Sequence, residues 1–133
     1  MAQKRAVSVS ELIPGIVEKI DAIKATYGSW DVHPALHVDP EKVQSIFAEL
    51  ADRLDDNFPF FHPQYAGQML KPPHPVAIAA YTATMMLNPN NHSIDGGKAT
   101  TLMEREVLEQ LVEMFGYNDE YLGHLTWSGT TAN

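Results

Sequence analysis

Apolar residues at Ile13, Ile16, Val17, Ile20 and Ile23 recur three and four positions apart, the spacing that lines side chains along one stripe of a helix. The stripe predicts a helix running to about Tyr27-Gly28, with Pro14 near its first turn, where a missing amide donor is tolerated. A second stripe, Val43, Ile46, Phe47, Leu50 and Leu54, follows Asp39-Pro40-Glu41. That triplet starts a helix: an acceptor to cap it, a proline with φ already set, and an acid placed against the positive end of the dipole. Residues 76–87 are small and apolar and predict a third helix, closed by Asn88-Pro89. Thr101-Leu102-Met103-Glu104 has capping-box spacing and predicts a fourth, ending at Phe115 before Gly116, with Met103, Val107, Leu111 and Met114 on its buried face. His124-Leu125-Thr126-Trp127 has the composition of a strand and runs into Ser128-Gly129-Thr130-Thr131-Ala132-Asn133.

Residues 28–38 read as a loop carrying Trp30, His33, Pro34 and His37. Residues 57–75 hold five prolines among aromatic rings, with His62, His74 and Gln68. That is too much proline for regular structure and too many rings for a flexible tether, so an ordered loop lying against another surface is expected. Composition changes near Asn57 and divides a helical arm, 1–57, from a loop-rich remainder, 58–133. No internal repeat or low-complexity tract is present.

The chain has 133 residues, 44% of them hydrophobic, which makes at most one domain. A chain of this length is expected to bury roughly two-thirds of its unfolded surface. It has no cysteine, which excludes disulfide scaffolds and thiolate metal sites. Seventeen acidic against nine basic residues give a net charge of −8, which repels nucleic acid and anionic membranes. Glu11 interrupts the N-terminus before an apolar run of signal-peptide length, and the apolar stretch 76–87 is too short to span a bilayer. A cytoplasmic protein acting on small molecules or other proteins is the expectation.

Six histidines raise the question of a metal, and His33 and His37 are four apart. Pro34 lies between them and no third ligand stands at a recognisable spacing, so no metal is expected. Ser128-Gly129 lacks the elbow that projects a nucleophilic serine. Glu104, Glu106, Glu109 and Glu113 read as the solvated face of a helix, and Met85-Met86 as core. The closing Ser-Gly-Thr-Thr-Ala-Asn admits two readings, a turn capping a helix or a cradle of hydroxyls and amides for a phosphate. In the second reading, the chain is the front part of something longer.

His62-Pro63-Gln64-Tyr65-Ala66-Gly67-Gln68, Asn88-Pro89-Asn90-Asn91-His92, Glu104 at a helix start and Ser128-Gly129-Thr130-Thr131-Ala132-Asn133 stand in a definite order and spacing. In this the chain resembles the pyridoxal-phosphate-dependent group II amino acid decarboxylases, which include glutamate, aromatic amino acid, histidine and diaminobutyrate decarboxylases. The resemblance covers about residues 10–133. It implies a mainly α segment made of the N-terminal arm and the start of the large α/β domain of the aminotransferase-like, fold type I architecture. It implies pyridoxal 5'-phosphate as cofactor, an amino acid as substrate, release of carbon dioxide to give an amine, and a homodimer formed through the arm.

By the same resemblance Gly129, Thr130 and Thr131 would hold the cofactor phosphate, although Ser128 stands where many members have a further glycine. Gln68, six residues after His62, would face the substrate carboxylate. His92 would lie near the substrate's distal end, at a position often aromatic in relatives. Asn88 and Asn90 would fix loop backbone. Ordinary loop hydrogen bonding is the other reading of Gln68 and His92. The family's Schiff-base lysine follows a histidine as His-x-x-Lys; the residues three after each histidine here are Leu36, Pro40, Tyr65, Ala77, Asp95 and Trp127. The segment alone is therefore expected to be inactive. The alternatives are a non-enzymatic helical module that binds another protein through its apolar stripes, and one chain of a split enzyme completed by a second polypeptide.

Overall fold

The computed structural model describes residues 5–68, 71–118 and 120–133. Among the described residues five α-helices follow one another: α1 (Val9–Ala25), α2 (Pro40–Leu54), α3 (Pro75–Leu87), α4 (Lys98–Phe115) and the single turn α5 (Gly129–Ala132). By contacts the chain divides into Met1–Ala83 and Thr84–Asn133, which does not coincide with the change of composition near Asn57.

In the first unit, α1 begins earlier than its apolar stripe indicates. Ser8 and Glu11 form a reciprocal cap: the Ser8 hydroxyl accepts from the Glu11 amide at 3.3 Å, and the Ser8 amide donates to the Glu11 carboxylate at 2.8 Å. Pro14 therefore sits in the second turn rather than the first, and the Ser10 carbonyl loses its usual donor. Arg5 lies 2.8 Å from Glu11 and, ahead of the two Ser8 bonds, holds its carboxyl below the usual range. The α2 start is as its triplet predicts: Asp39 accepts from the Glu41 and Lys42 amides at 3.0 and 3.4 Å, behind Pro40. The loop between the two helices contains one 3-10 turn, Pro34–Leu36, capped by the His33 ring.

The segment after α2 is ordered by its own rings. Phe60 meets the edges of Phe58 and Tyr65 at 6.4 and 5.2 Å, and Phe58 stacks on Tyr65 at 6.4 Å. A cleft of about 490 Å³ lies beside them, lined in part by Leu54, Phe58, Phe61 and Pro72.

In the second unit, α4 opens at Lys98 behind Gly97, so its cap lies four residues before the predicted one at Thr101. The capping box at Thr101 does not form, because Thr101 lies inside the first turn and its hydroxyl turns back to Asn91 and Ser93. The end is as predicted: Gly116, at φ 69°, takes the left-handed conformation that closes helices. The expected strand at 124–127 is absent. Residues 120–126 are irregular, and no strand occurs among the described residues to supply the ladder partner that a strand needs. The terminal turn, in contrast, does open a helix.

The expected core is absent as well. Ile20 and Ala79 are the buried apolar residues among those described, while Phe47 is 63% exposed and Leu54 57%. The accessible surface is 12282 Å². A compact monomer of this mass exposes roughly 7,000 Å², and two independent globules of these unit sizes roughly 8,400 Å². The chain thus hides about two-fifths of its unfolded surface rather than two-thirds. The α2 stripe turns Ile46, Phe47, Leu50 and Leu54 outward, whereas on α1 Ile20 is buried, Ile13, Ile16 and Val17 are half-buried and Ile23 is exposed.

Candidate functional site

A cluster of polar bonds in the second unit centres on one carboxylate. Glu104, in the second turn of α4, has a side chain only 14% exposed. Its Oε1 accepts the Leu125 amide at 2.9 Å and lies 2.6 Å from His124 Nδ1. Its Oε2 accepts from Asn91 Nδ2 at 2.6 Å. The Leu125 amide, and after it the His124 ring and the Asn91 amide, hold the Glu104 carboxyl below its usual range against the opposing effect of burial. This corrects the expectation that Glu104 belongs to a solvated acidic face.

Asn91 is oriented from its other end, because its Oδ1 accepts the hydroxyls of Thr100 at 3.0 Å and Thr101 at 2.8 Å. The loop carrying it folds tightly onto the start of α4. A Cβ on Gly97 would sit 2.5 Å from the Asn90 carbonyl oxygen, so only glycine fits there without a shift. A shallow cleft of about 300 Å³ lies over this region, lined by Asn91, Thr100, Met103, Glu104, Val107 and Leu125.

His92 is exposed beside this network. Its amide donates to Asn90 Oδ1 at 3.1 Å, so Asn90 shapes loop backbone as expected, and its ring packs against Gly96. The turn at the chain end is built by Ser128, whose hydroxyl accepts the Thr131 amide at 3.3 Å and lies 3.2 Å from the Thr131 hydroxyl. Gly129 and Thr130 are exposed, and amides of a first helical turn have no acceptor within the helix. The Thr131 amide is thus engaged by Ser128 and the Thr131 hydroxyl lies against it, while Gly129 and Thr130 stand exposed at the start of the turn. A Cβ on Gly129 would meet nothing within 4 Å. Gln68 is exposed and belongs to the first unit, whereas His92, Gly129, Thr130 and Thr131 belong to the second.

Against pyridoxal phosphate these residues fit one end. The terminal turn offers hydroxyl and amide donors for the phosphate, and no lysine stands in the His-x-x-Lys context that would hold the other end. Among the described residues no three of His, Asp or Glu gather as a metal ion requires, and no helix is long and apolar enough to cross a membrane.

Over 70 residues, 53% of this chain, the sequence is 36% identical to an L-tyrosine decarboxylase of Enterococcus faecium, of which that stretch covers 11%. The chain therefore spans a small part of the length of that curated relative. No protein-family model matches, and no solved structure matches. The relative's name agrees with the motif-based resemblance at the level of a decarboxylase and no finer. The helical content agrees with a mainly α N-terminal segment.

Sequence reading missed the hub at Glu104. It placed the residue in the right motif, but the three donors come from positions 13 residues before and 20 or 21 residues after it, beyond any helical spacing.

Proposed function

We propose that these residues form the N-terminal part of a cytoplasmic, pyridoxal-phosphate-dependent group II amino acid decarboxylase of fold type I. The observation that carries this reading is the 36% identity over 70 residues to a tyrosine decarboxylase, in a chain that has the family's motifs in order. The cofactor, when bound, takes up the electron pair left behind as carbon dioxide departs. Gly129 and Thr130 meet its phosphate through amides and a hydroxyl, with Thr131 shaping the turn through Ser128. The Gln68 amide donates to the substrate carboxylate without adding charge, and His92 faces the distal end of the substrate. The outward apolar stripe of α2 and the exposed remainder of the α1 stripe are covered in the complete enzyme, a homodimer joined through this arm.

The large exposed surface supports this reading, because a segment of a larger body needs no core of its own. The test is the reading frame containing these residues. It is expected to encode a His-x-x-Lys lysine that pyridoxal phosphate labels on borohydride reduction, and its product to release carbon dioxide from an L-amino acid. A complete product that ignores pyridoxal phosphate and releases no carbon dioxide overturns the proposal. The exposed α2 stripe also favours a second reading, a non-enzymatic helical interaction module. That reading requires the 133-residue product to melt cooperatively and to bind a protein through Ile46, Phe47 and Leu50.

A further inference from the structure

We infer that Glu104 is a positioning residue that ties the loop carrying His92 to the backbone leading into the terminal Ser128 turn. Its bonds stand by themselves, while its bearing on cofactor placement rests on the decarboxylase reading above.

The carboxylate faces donors from two directions. Asn91 reaches it from the loop before α4, and the Leu125 amide and His124 ring reach it from the segment after α4. Beyond Leu125 the connections continue without a gap: the Thr126 hydroxyl donates to the Ser128 carbonyl at 3.1 Å, and the Ser128 hydroxyl caps the turn by accepting from the Thr131 amide. On the other side Asn91 adjoins His92 and is held by Thr100 and Thr101. One side chain therefore fixes where the chain re-enters after the long α4 excursion, relative to the loop at 90–92.

The requirement is for a carboxylate rather than for a side chain of that size. Three groups approach the two oxygens of Glu104, and an ionised carboxylate accepts from all of them. A glutamine offers a single oxygen and turns an NH₂ toward groups that themselves donate. Asn91 cannot rotate to compensate, because two hydroxyls already point at its oxygen. Glu104→Gln therefore keeps the volume and removes the function.

The test uses the isotopically labelled 133-residue chain and two readouts. In the first, amide exchange at Leu125 is followed in the parent and in Glu104→Gln. Exchange is expected to quicken roughly ten- to a hundredfold in the variant, as a charge-assisted bond is lost, with helix content by circular dichroism retained. Asn91→Asp, which sets carboxylate against carboxylate, is expected to act in the same direction. The second readout needs no variant. The Glu104 side-chain carbon signal of the parent, followed against pH, is expected to titrate below the ordinary carboxylate range, with His124 the titratable group facing it. Equal Leu125 exchange in parent and variant, an unprotected Leu125 amide in the parent, or an ordinary Glu104 titration each overturns the inference. Adding pyridoxal phosphate and following the 128–131 amides tests the decarboxylase reading separately, since a silent titration there leaves the Leu125 and Glu104 results standing.

Discussion

The segment 39–65 and the segment 88–131 reach order by opposite routes. In the first, the caps, the ion pair and the ring contacts are local: Asp39 caps its own helix two and three residues on, Glu49 meets Arg53 one turn away, and Phe58, Phe60 and Tyr65 pack on one another. In the second, a single carboxylate gathers donors from residues 91, 124 and 125. Local contacts give elements without specifying where they go, and α2 accordingly presents Ile46, Phe47 and Leu50 to solvent. The Glu104 hub specifies a loop arrangement although almost no apolar surface is buried around it. Polar bonds between distant positions can thus set geometry where a core is lacking, provided that every donor has its acceptor.

If that contrast holds, the largest single effect comes from the long-range region. Gly97→Ala drives a methyl group into the Asn90 carbonyl and should destabilise the second unit by about 1–3 kcal/mol. Denaturation followed by signals from 88–131 checks this, and an unperturbed variant would show that the loop is looser than its geometry indicates.

Acid should separate the regions next. The folded Glu104 carboxyl titrates below its unfolded value, so its contribution is complete above the ordinary carboxylate range and disappears as pH falls through the lowered folded value. The 90–92 and 124–126 signals should therefore change before those of the Phe58–Tyr65 cluster, and Glu104→Gln should abolish the difference. Coincident transitions would break the comparison.

A smaller and local effect is expected at α2. Asp39→Ala removes the acceptor of two first-turn amides and should cost about 1 kcal/mol of helix stability, visible as lost helicity confined to 40–54. The smallest belongs to Arg53→Ala. Arg53 and Glu49 are exposed, and such pairs contribute about 0.3–0.5 kcal/mol on a helix, so thermal melts of parent and variant should nearly superimpose.

Much of the architecture was legible from residue order. The Asp39-Pro40 start, the Gly116 stop and the helix expected at 76–87, found at Pro75–Leu87, each depend on conformational preferences of the residues present and hold wherever the chain lies. The misreadings share one cause. The expected buried face of α4 leaves Met103 and Met114 exposed, because periodicity reports only that a face is apolar and not that anything covers it. The composition at 124–127 suits a strand, yet a strand exists only where another offers its ladder, and Leu125 instead gives its amide to a carboxylate.

The same division runs through the candidate site. Sequence alone determined which residue types stand at 68, 92 and 128–131, because motif spacing is a property of the chain. It also determined that Ser128 can close a helical turn, since its acceptor lies three residues from its donor. Only the tertiary structure decided that Glu104 is a hub rather than a solvated acid. Its donors converge through the return path of the chain after α4, and that path is fixed by contacts far longer in range than any sequence period.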